Sequence, residues 1–241
     1  MIEERFQRAE LLLGEEEMRR LAAARVIIFG VGGVGGWCAE ALARSGVGHL
    51  TIVDKDRVAV TNINRQVMAM TSTVGRPKVE VLAERLRDIS PTLSVETVFD
   101  VYTADTQGEY DFDKYDVVVD AIDSLEDKAL LIVNACRSRT RLLSSMGAAR
   151  KSDPRRVQTA EFWKVKGCPL ARALRNHFKR SGTFPGRKFQ CVYSDELLEN
   201  KGTVIEKGAN GTLMHATAVF GLTLAWMAME APPAPPEMGG R

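Results

Sequence analysis

The chain has 241 residues, of which 33 are Lys or Arg and 31 are Asp or Glu, giving a formal net charge of +2, with 45% hydrophobic and 27% charged residues. These are globular proportions. They exclude a disordered chain, a collagen-like fibre or a coiled coil as the whole molecule, and the length predicts one domain with elaborations around a core that needs no staples. The four cysteines, Cys38, Cys136, Cys168 and Cys191, form no Cys-x-x-Cys pair, which argues against a zinc ribbon or a disulfide scaffold.

The charged N-terminus has no apolar stretch behind it and reads as free of a secretory signal. Arg25–Phe29 is an apolar run ending in glycine and reads as a buried strand. A helix over Trp37–Arg44 and a strand over His49–Val53 follow. Lys78–Ile89 carries Val79, Leu82, Leu86 and Ile89 at helical spacing. Strands are predicted at Val95–Phe99, Val117–Ala121 and Leu142–Ser145, with a helix over Asp127–Arg137. This alternation predicts an α/β fold: a Rossmann-like, mostly parallel sheet with helices on both faces. Beyond residue 146 the pattern loosens. A strand is predicted at Val157–Phe162, a helix at Pro169–Phe178 and a short strand near Cys191–Tyr193. Met214–Met229 is apolar but shorter than the ~20 residues of a membrane span, and reads as a buried helix. Pro232–Pro236 cannot continue it. No membrane association and a cytoplasmic location are expected.

Gly30-Val31-Gly32-Gly33-Val34-Gly35-Gly36 stands between the first strand and the first core helix. Glycines let backbone approach a phosphate, and the following helix aims free N–H groups at it. Asp54 ends the next strand, 19 residues after Gly35, where dinucleotide folds place the acid that takes ribose hydroxyls. The loop alone does not separate a nicotinamide cofactor from ATP. Asn62, Arg65, Gln66 and Lys78 favour ATP, because fixed cations neutralise a triphosphate and its leaving pyrophosphate. Asp120 and Asp123, after the fourth strand, are candidate oxygen ligands for magnesium.

These motifs, together with Arg5-Phe6-Gln7-Arg8 and Gly75-x-Pro77-Lys78, resemble those of the ThiF/MoeB superfamily of adenylate-forming enzymes, relatives of the ubiquitin-activating enzymes. The resemblance is strong from residue 5 to about 145. Shorter matches at Asp153-Pro154, Pro169-Leu170-Ala171 and Cys191-Val192-Tyr193-Ser194 point to the branch that dehydrates threonylcarbamoyladenosine in tRNA. The resemblance implies that Gly30, Gly32, Gly33 and Gly35 wrap the phosphates and Asp54 binds the ribose. Asn62, Arg65, Gln66 and Lys78 would contact the triphosphate, and Asp123 would bind Mg²⁺ or position the reacting phosphate. Arg8 would reach the ATP site of a neighbouring subunit, which implies a homodimer. Arg65, Lys78, Asp123 and Arg8 are the implied catalytic set, ATP and Mg²⁺ the implied cofactors, and tRNA the implied partner. A sulfur-transfer protein partner stays open. No zinc is expected, because the two Cys-x-x-Cys pairs of the sulfur-carrier activators are missing. The cysteine that dehydratase relatives carry before the last helix is also missing from Glu206-Lys207-Gly208-Ala209-Asn210-Gly211, and Cys191 is a weak substitute. The organisation expected is a helical arm over 1–24 contributing to the dimer, an ATP-binding core over 25–146, a substrate-binding elaboration over 147–231 and a mobile tail over 232–241.

Charge distribution gives separate information. Residues 137–188 hold fifteen Lys or Arg against two acids, Asp153 and Glu161, which favours a polyanion partner for this half. Arg150, Lys151, Arg155, Arg172, Arg175, Lys179 and Arg180 are the candidate nucleic-acid contacts. Phe184, Phe189 and Tyr193 are candidates to stack on unpaired bases. Adenylation of the C-terminal glycine of a sulfur-carrier or ubiquitin-like protein is the alternative function. A nicotinamide-dependent oxidoreductase is a third reading and a non-catalytic nucleotide-binding scaffold a fourth.

Overall fold

A computed structural model describes residues 3–203 and 210–230. The tail expected over 232–241 and residues 206–209, ahead of the last helix, lie outside the described residues. Two short helices, α1 (Gln7–Leu13) and α2 (Glu15–Ala23), precede the core. The core then runs β1 (Arg25–Phe29), α3 (Gly35–Arg44), β2 (His49–Val53), α4 (Lys78–Ile89), β3 (Ser94–Val98), β4 (Val117–Asp120), α5 (Leu125–Ala135) and β5 (Arg141–Ser145). The second half adds β6 (Val157–Glu161), α6 (Pro169–Ser181), β7 (Gln190–Ser194) and α7 (Met214–Met229).

The strands form one sheet in the order β3-β2-β1-β4-β5-β7-β6. All neighbours are parallel except β6, which closes the edge antiparallel to β7. The alternation inferred from the sequence therefore holds, and the looser second half continues the same sheet. Side chains alternate across it as the pleat requires. Val26, Ile28, Leu50, Ile52, Val117, Val119 and Leu143 enter a core shared with α3, α4 and α7. Ile27, Phe29, Val118 and Leu142 enter a second core with α5 and α6. The apolar 214–229 helix packs against α3, where a Cβ on Gly221 would lie 2.4 Å from the Val34 carbonyl oxygen. Among the described residues no helix is long and apolar enough to cross a membrane.

One buried charge pair braces the centre of the sheet. Asp120, the last residue of β4, and Lys128 on α5 are both fully buried, with Nζ 2.8 Å from Oδ2. Ser144 Oγ donates to the same oxygen at 2.6 Å, and the Ile122 amide donates to Oδ1 at 3.1 Å. Lys128 Nζ also donates to the Ile122 carbonyl at 2.9 Å. Both carboxylate oxygens and the ammonium thus have partners, as buried charges require. Lys128→Met should cost about 3–5 kcal/mol by leaving Asp120 uncompensated. Adding Asp120→Asn should recover part of that loss in urea unfolding.

Candidate active site

The strand order reverses between β1 and β4, and open α/β sheets bind ligands beyond the strand C-termini at such a switch point. A cleft of about 620 Å³ opens there. Its walls include the strand ends Phe29, Val53, Ala121 and Ser145.

The glycine loop forms its floor. Gly30 has φ +83°, and a Cβ there would lie 2.7 Å from the Ala121 carbonyl oxygen. A Cβ on Gly35 would fall 1.9 Å from the Gly30 carbonyl oxygen. Only glycine lets the chain turn this tightly from β1 into α3. Gly32 and Gly33 line the open side of the loop, facing Gln66 and Arg65. Of the four glycines singled out, Gly30, Gly32 and Gly33 line the cleft, and Gly35 opens α3 behind them.

Asp54 sits beside the loop. Its Oδ2 accepts the Val31 amide and its Oδ1 the Asp56 amide, each at 2.8 Å. Burial raises its pKa above the ordinary aspartate value, and the charge of Lys78 offsets part of that rise. Lys78 opens α4 and is buried, with Nζ 2.7 Å from Asp56 Oδ2. Asp56, absent from the sequence-derived set, is the residue that anchors this ammonium, and the Lys78 amide also donates to the Asp56 carbonyl.

Arg65 and Gln66 leave a turn built by Asn62. The Asn62 Oδ1 accepts the Ala59 amide, and its carbonyl accepts the amides of Arg65 and Gln66. Trp37 Nε1 donates to the Arg65 carbonyl at 3.1 Å, and the Arg65 guanidinium donates to the Thr61 carbonyl at 2.8 Å. Gln66 is buried, and its Oε1 has no hydrogen-bond partner. An unpaired buried acceptor is costly, and here it lies in the wall of the cleft.

Asp123 and Asp127 stand on the opposite wall, with Ser124 between them. Asp120, the other sequence candidate for magnesium, does not reach the cleft, because Lys128 and Ser144 occupy its carboxylate. Arg8 is exposed on α1, outside the cleft lining. The remaining wall, from Gly147–Ala149, Leu170, Asn210, Thr212 and Thr217, was not predicted. These small or neutral residues carry no charge motif, and only the fold assembles them.

The structure corrects several substrate-side assignments. Lys151 is buried, its Nζ donates to the Glu196 carbonyl, and burial lowers its pKa. It belongs to the loop scaffold and is removed from any phosphate-contacting face. Arg175 is half-buried and donates to the carbonyls of Phe162 and Val165, each at 3.1 Å. Phe189 and Tyr193 are core residues. Arg150 holds φ +62° and donates to the Leu198 carbonyl, and Arg155 is exposed but pairs with Asp153. Arg172, Lys179 and Arg180 are exposed on α6. Cys191 is fully buried, and burial holds its thiol well above the ordinary range, so it behaves as a small core residue. The other three cysteines are also buried and unpaired. Among the described residues no cluster of three or more His, Cys, Asp or Glu could hold a metal. Magnesium needs fewer protein ligands when phosphates supply the rest, and Asp123 with Asp127 fits that demand.

Comparison with known proteins agrees with the motif reading. The tRNA threonylcarbamoyladenosine dehydratase of Bacillus subtilis is 42% identical over 191 residues, 79% of this chain and 74% of that protein. Crystal structures of the E. coli tRNA N6-threonylcarbamoyladenosine dehydratase with ATP and with AMP align at TM-scores of 0.85 and 0.86. They are 38% and 37% identical, and each alignment covers 93% of this chain and 92% of the other. A match to the ThiF family spans residues 6–231, so the chain belongs to that family.

Proposed function

We propose that this protein carries out the ATP-dependent dehydration of threonylcarbamoyladenosine in tRNA through a carboxyl-adenylate. The observation that carries the reading is the cleft itself. Glycines of the turn from β1 into α3, the Asp54 carboxylate and two cations, Arg65 and Lys78, line one cleft, in a chain alike over nearly its whole length to a dehydratase seen with ATP and AMP.

In this mechanism the threonyl carboxylate attacks the α-phosphate of ATP and pyrophosphate leaves. The carbamoyl group then closes on the activated carbonyl and expels AMP, so the nucleoside ends one water lighter. The loop amides from Gly30 to Gly35 and the N-terminus of α3 hold phosphate oxygens. Asp54 accepts ribose hydroxyls. Arg65 and Lys78 neutralise charge growing on the pyrophosphate, and the Gln66 side-chain NH2, next to Gly32, donates to a phosphate oxygen. Asp123 and Asp127 would hold Mg²⁺, which supplies charge neutralisation at the triphosphate. The four buried cysteines have no covalent part in this scheme. The exposed Arg8 belongs, in this reading, to a neighbouring subunit's site. The exposed Leu11 and Leu12 on the same helix support a homodimer formed by the N-terminal arm. We place the protein in the cytoplasm, where its tRNA substrate is found. The activators of sulfur-carrier proteins share the ATP wall but usually carry zinc cysteines, which this chain lacks.

Purified protein with ATP, magnesium and tRNA bearing threonylcarbamoyladenosine should produce AMP and a nucleoside lighter by one water, read by mass spectrometry after gentle digestion. ATP-dependent pyrophosphate exchange only with a glycine-tailed carrier protein would overturn this reading. Lys78→Ala and Arg65→Ala should each lower kcat by about 10²-fold or more, the usual scale for a group that stabilises transition-state charge.

The raised pKa of Asp54 sets a pH dependence. The ionised carboxylate is the stronger acceptor of hydroxyls, and its ionised fraction starts to fall at a higher pH than for an ordinary aspartate. As the pH falls, the KM for ATP should therefore begin to rise at a higher pH than an ordinary aspartate would give. Asp54→Asn should raise KM at all pH values and flatten this dependence.

A further inference from the structure

Among the large rings left facing solvent outside the ATP cleft, two lie side by side. Trp163, in the turn after β6, is 40% exposed, and Phe184, in the segment after α6, is 49% exposed. Their centroids are 6.3 Å apart with the planes inclined by 37°. Trp163 rests on an aromatic floor, and Phe184 leans against Trp163. Phe162 stacks on Phe189 at 4.9 Å, and Phe178 meets both Phe162 and Trp163 edge-on or tilted. The Trp163 amide donates to the Glu161 carboxylate at 3.2 Å, which pins its backbone. Rings held in this way lose little entropy when a ligand covers them.

The chain around the rings is cationic. Lys164 and Lys166 follow Trp163, Lys179 and Arg180 follow Phe178, and Lys188 precedes Phe189. All five are exposed, and no ion pair involves them among the described residues. The nearest acids in sequence are Glu161, half-buried and engaged with the Trp163 amide, and Asp195, paired with Arg156. Exposed rings among unpaired cations match the chemistry of unpaired nucleotides, which offer π-faces and phosphates together. An acidic protein segment would use the cations but has no general need of paired rings. Position supports the same partner. Leu170 at the start of α6 lines the ATP cleft, and Phe178 lies eight residues further along the helix, about 12 Å away at 1.5 Å per residue. Nucleotides near a reacting nucleoside in the cleft can span that distance.

We propose that Trp163 and Phe184 form a stacking platform for an unpaired nucleotide of the RNA substrate, close in the strand to the one modified. The proposal rests on the tRNA reading above. Direct binding of labelled tRNA, followed by fluorescence anisotropy over a range of salt concentrations, separates stacking from charge. Phe184→Ala and Trp163→Ala should each weaken binding about tenfold, the scale of one lost base stack, with the salt slope unchanged. Trp163→Phe should keep most of the affinity, and the KM for ATP should not move. Lys179→Ala and Arg180→Ala should instead reduce the slope, by about one per phosphate contact. Ring variants that bind tRNA like the unaltered protein would overturn the platform and leave the face to a protein partner. Joint loss of tRNA and ATP binding would also overturn it, since it would mean a purely structural role. Phe184 lies outside the regular elements, so its variant carries the test if Trp163→Ala fails to fold. Unaltered protein that binds tRNA without dehydrating it would sink the catalytic reading alone.

Discussion

The site depends on how closely the chain packs against itself where β1 turns into α3. Gly30 passes within contact of the Ala121 carbonyl, and Gly35 leaves no room for a side chain against Gly30. This lets the turn out of β1 lie directly against the residues that follow β4, at the floor of the switch-point crevice. Gly221 has the same effect on the other side of α3, where it lets α7 press against Val34. The helix therefore carries Thr217 up to Gly33. A phosphate loop is usually described by what it offers a ligand. Here its glycines serve first as steric conditions for the fold, and the open amides are a consequence.

Charge is arranged in two layers beneath and around that loop. The lower layer, Asp120 with Lys128 and Ser144, is sealed and fully paired. It fixes the Ile122 carbonyl and amide, and so the start of the segment that carries Asp123 to the cleft wall. The upper layer is incompletely paired. Lys78 has one carboxylate partner, Asp54 is desolvated with only backbone amides on its oxygens, and Gln66 has a free oxygen. Unsatisfied polar groups cluster where function requires them. The contrast between adjacent layers explains why two aspartates three residues apart have different tasks.

Most of the frame was legible in the sequence because strand and helix periods are local. The limits of β1, β2, α4 and α7 are readable in the sequence, and so is the glycine loop with Asp54 that lines the cleft. Asp120 was misread as a metal ligand because its partner, Lys128, lies on a helix with no motif of its own. Asp56 was missed because an acid in a loop carries no signal until it is seen against Lys78. Gly147–Ala149 and Thr212 gave no chemical clue. They enter the site because β5 ends beside β4 and because the Asn64 side-chain amide donates to the Thr212 carbonyl, facts of tertiary order and not of local pattern.

The basic half shows how far a charge count reaches. Its fifteen cations suggested a broad polyanion surface, yet several serve the fold. Arg141 caps the Met227 and Glu230 carbonyls, Arg187 holds the Ala135 and Thr140 carbonyls, and Arg175 and Lys151 are likewise bound to backbone. Arginine is suited to this, since one planar fork satisfies carbonyls at the ends of several elements. With these and the acid-paired Arg139, Arg155 and Arg156 set aside, most of the exposed cations that remain lie along α6 and in the turns beside Trp163 and Phe184. Narrowing strengthens the case for a specific ligand. Diffuse charge attracts any polyanion, whereas cations bordering a fixed pair of rings favour one that can also stack. The helix linking them to the cleft gives that preference a geometric relation to the chemistry.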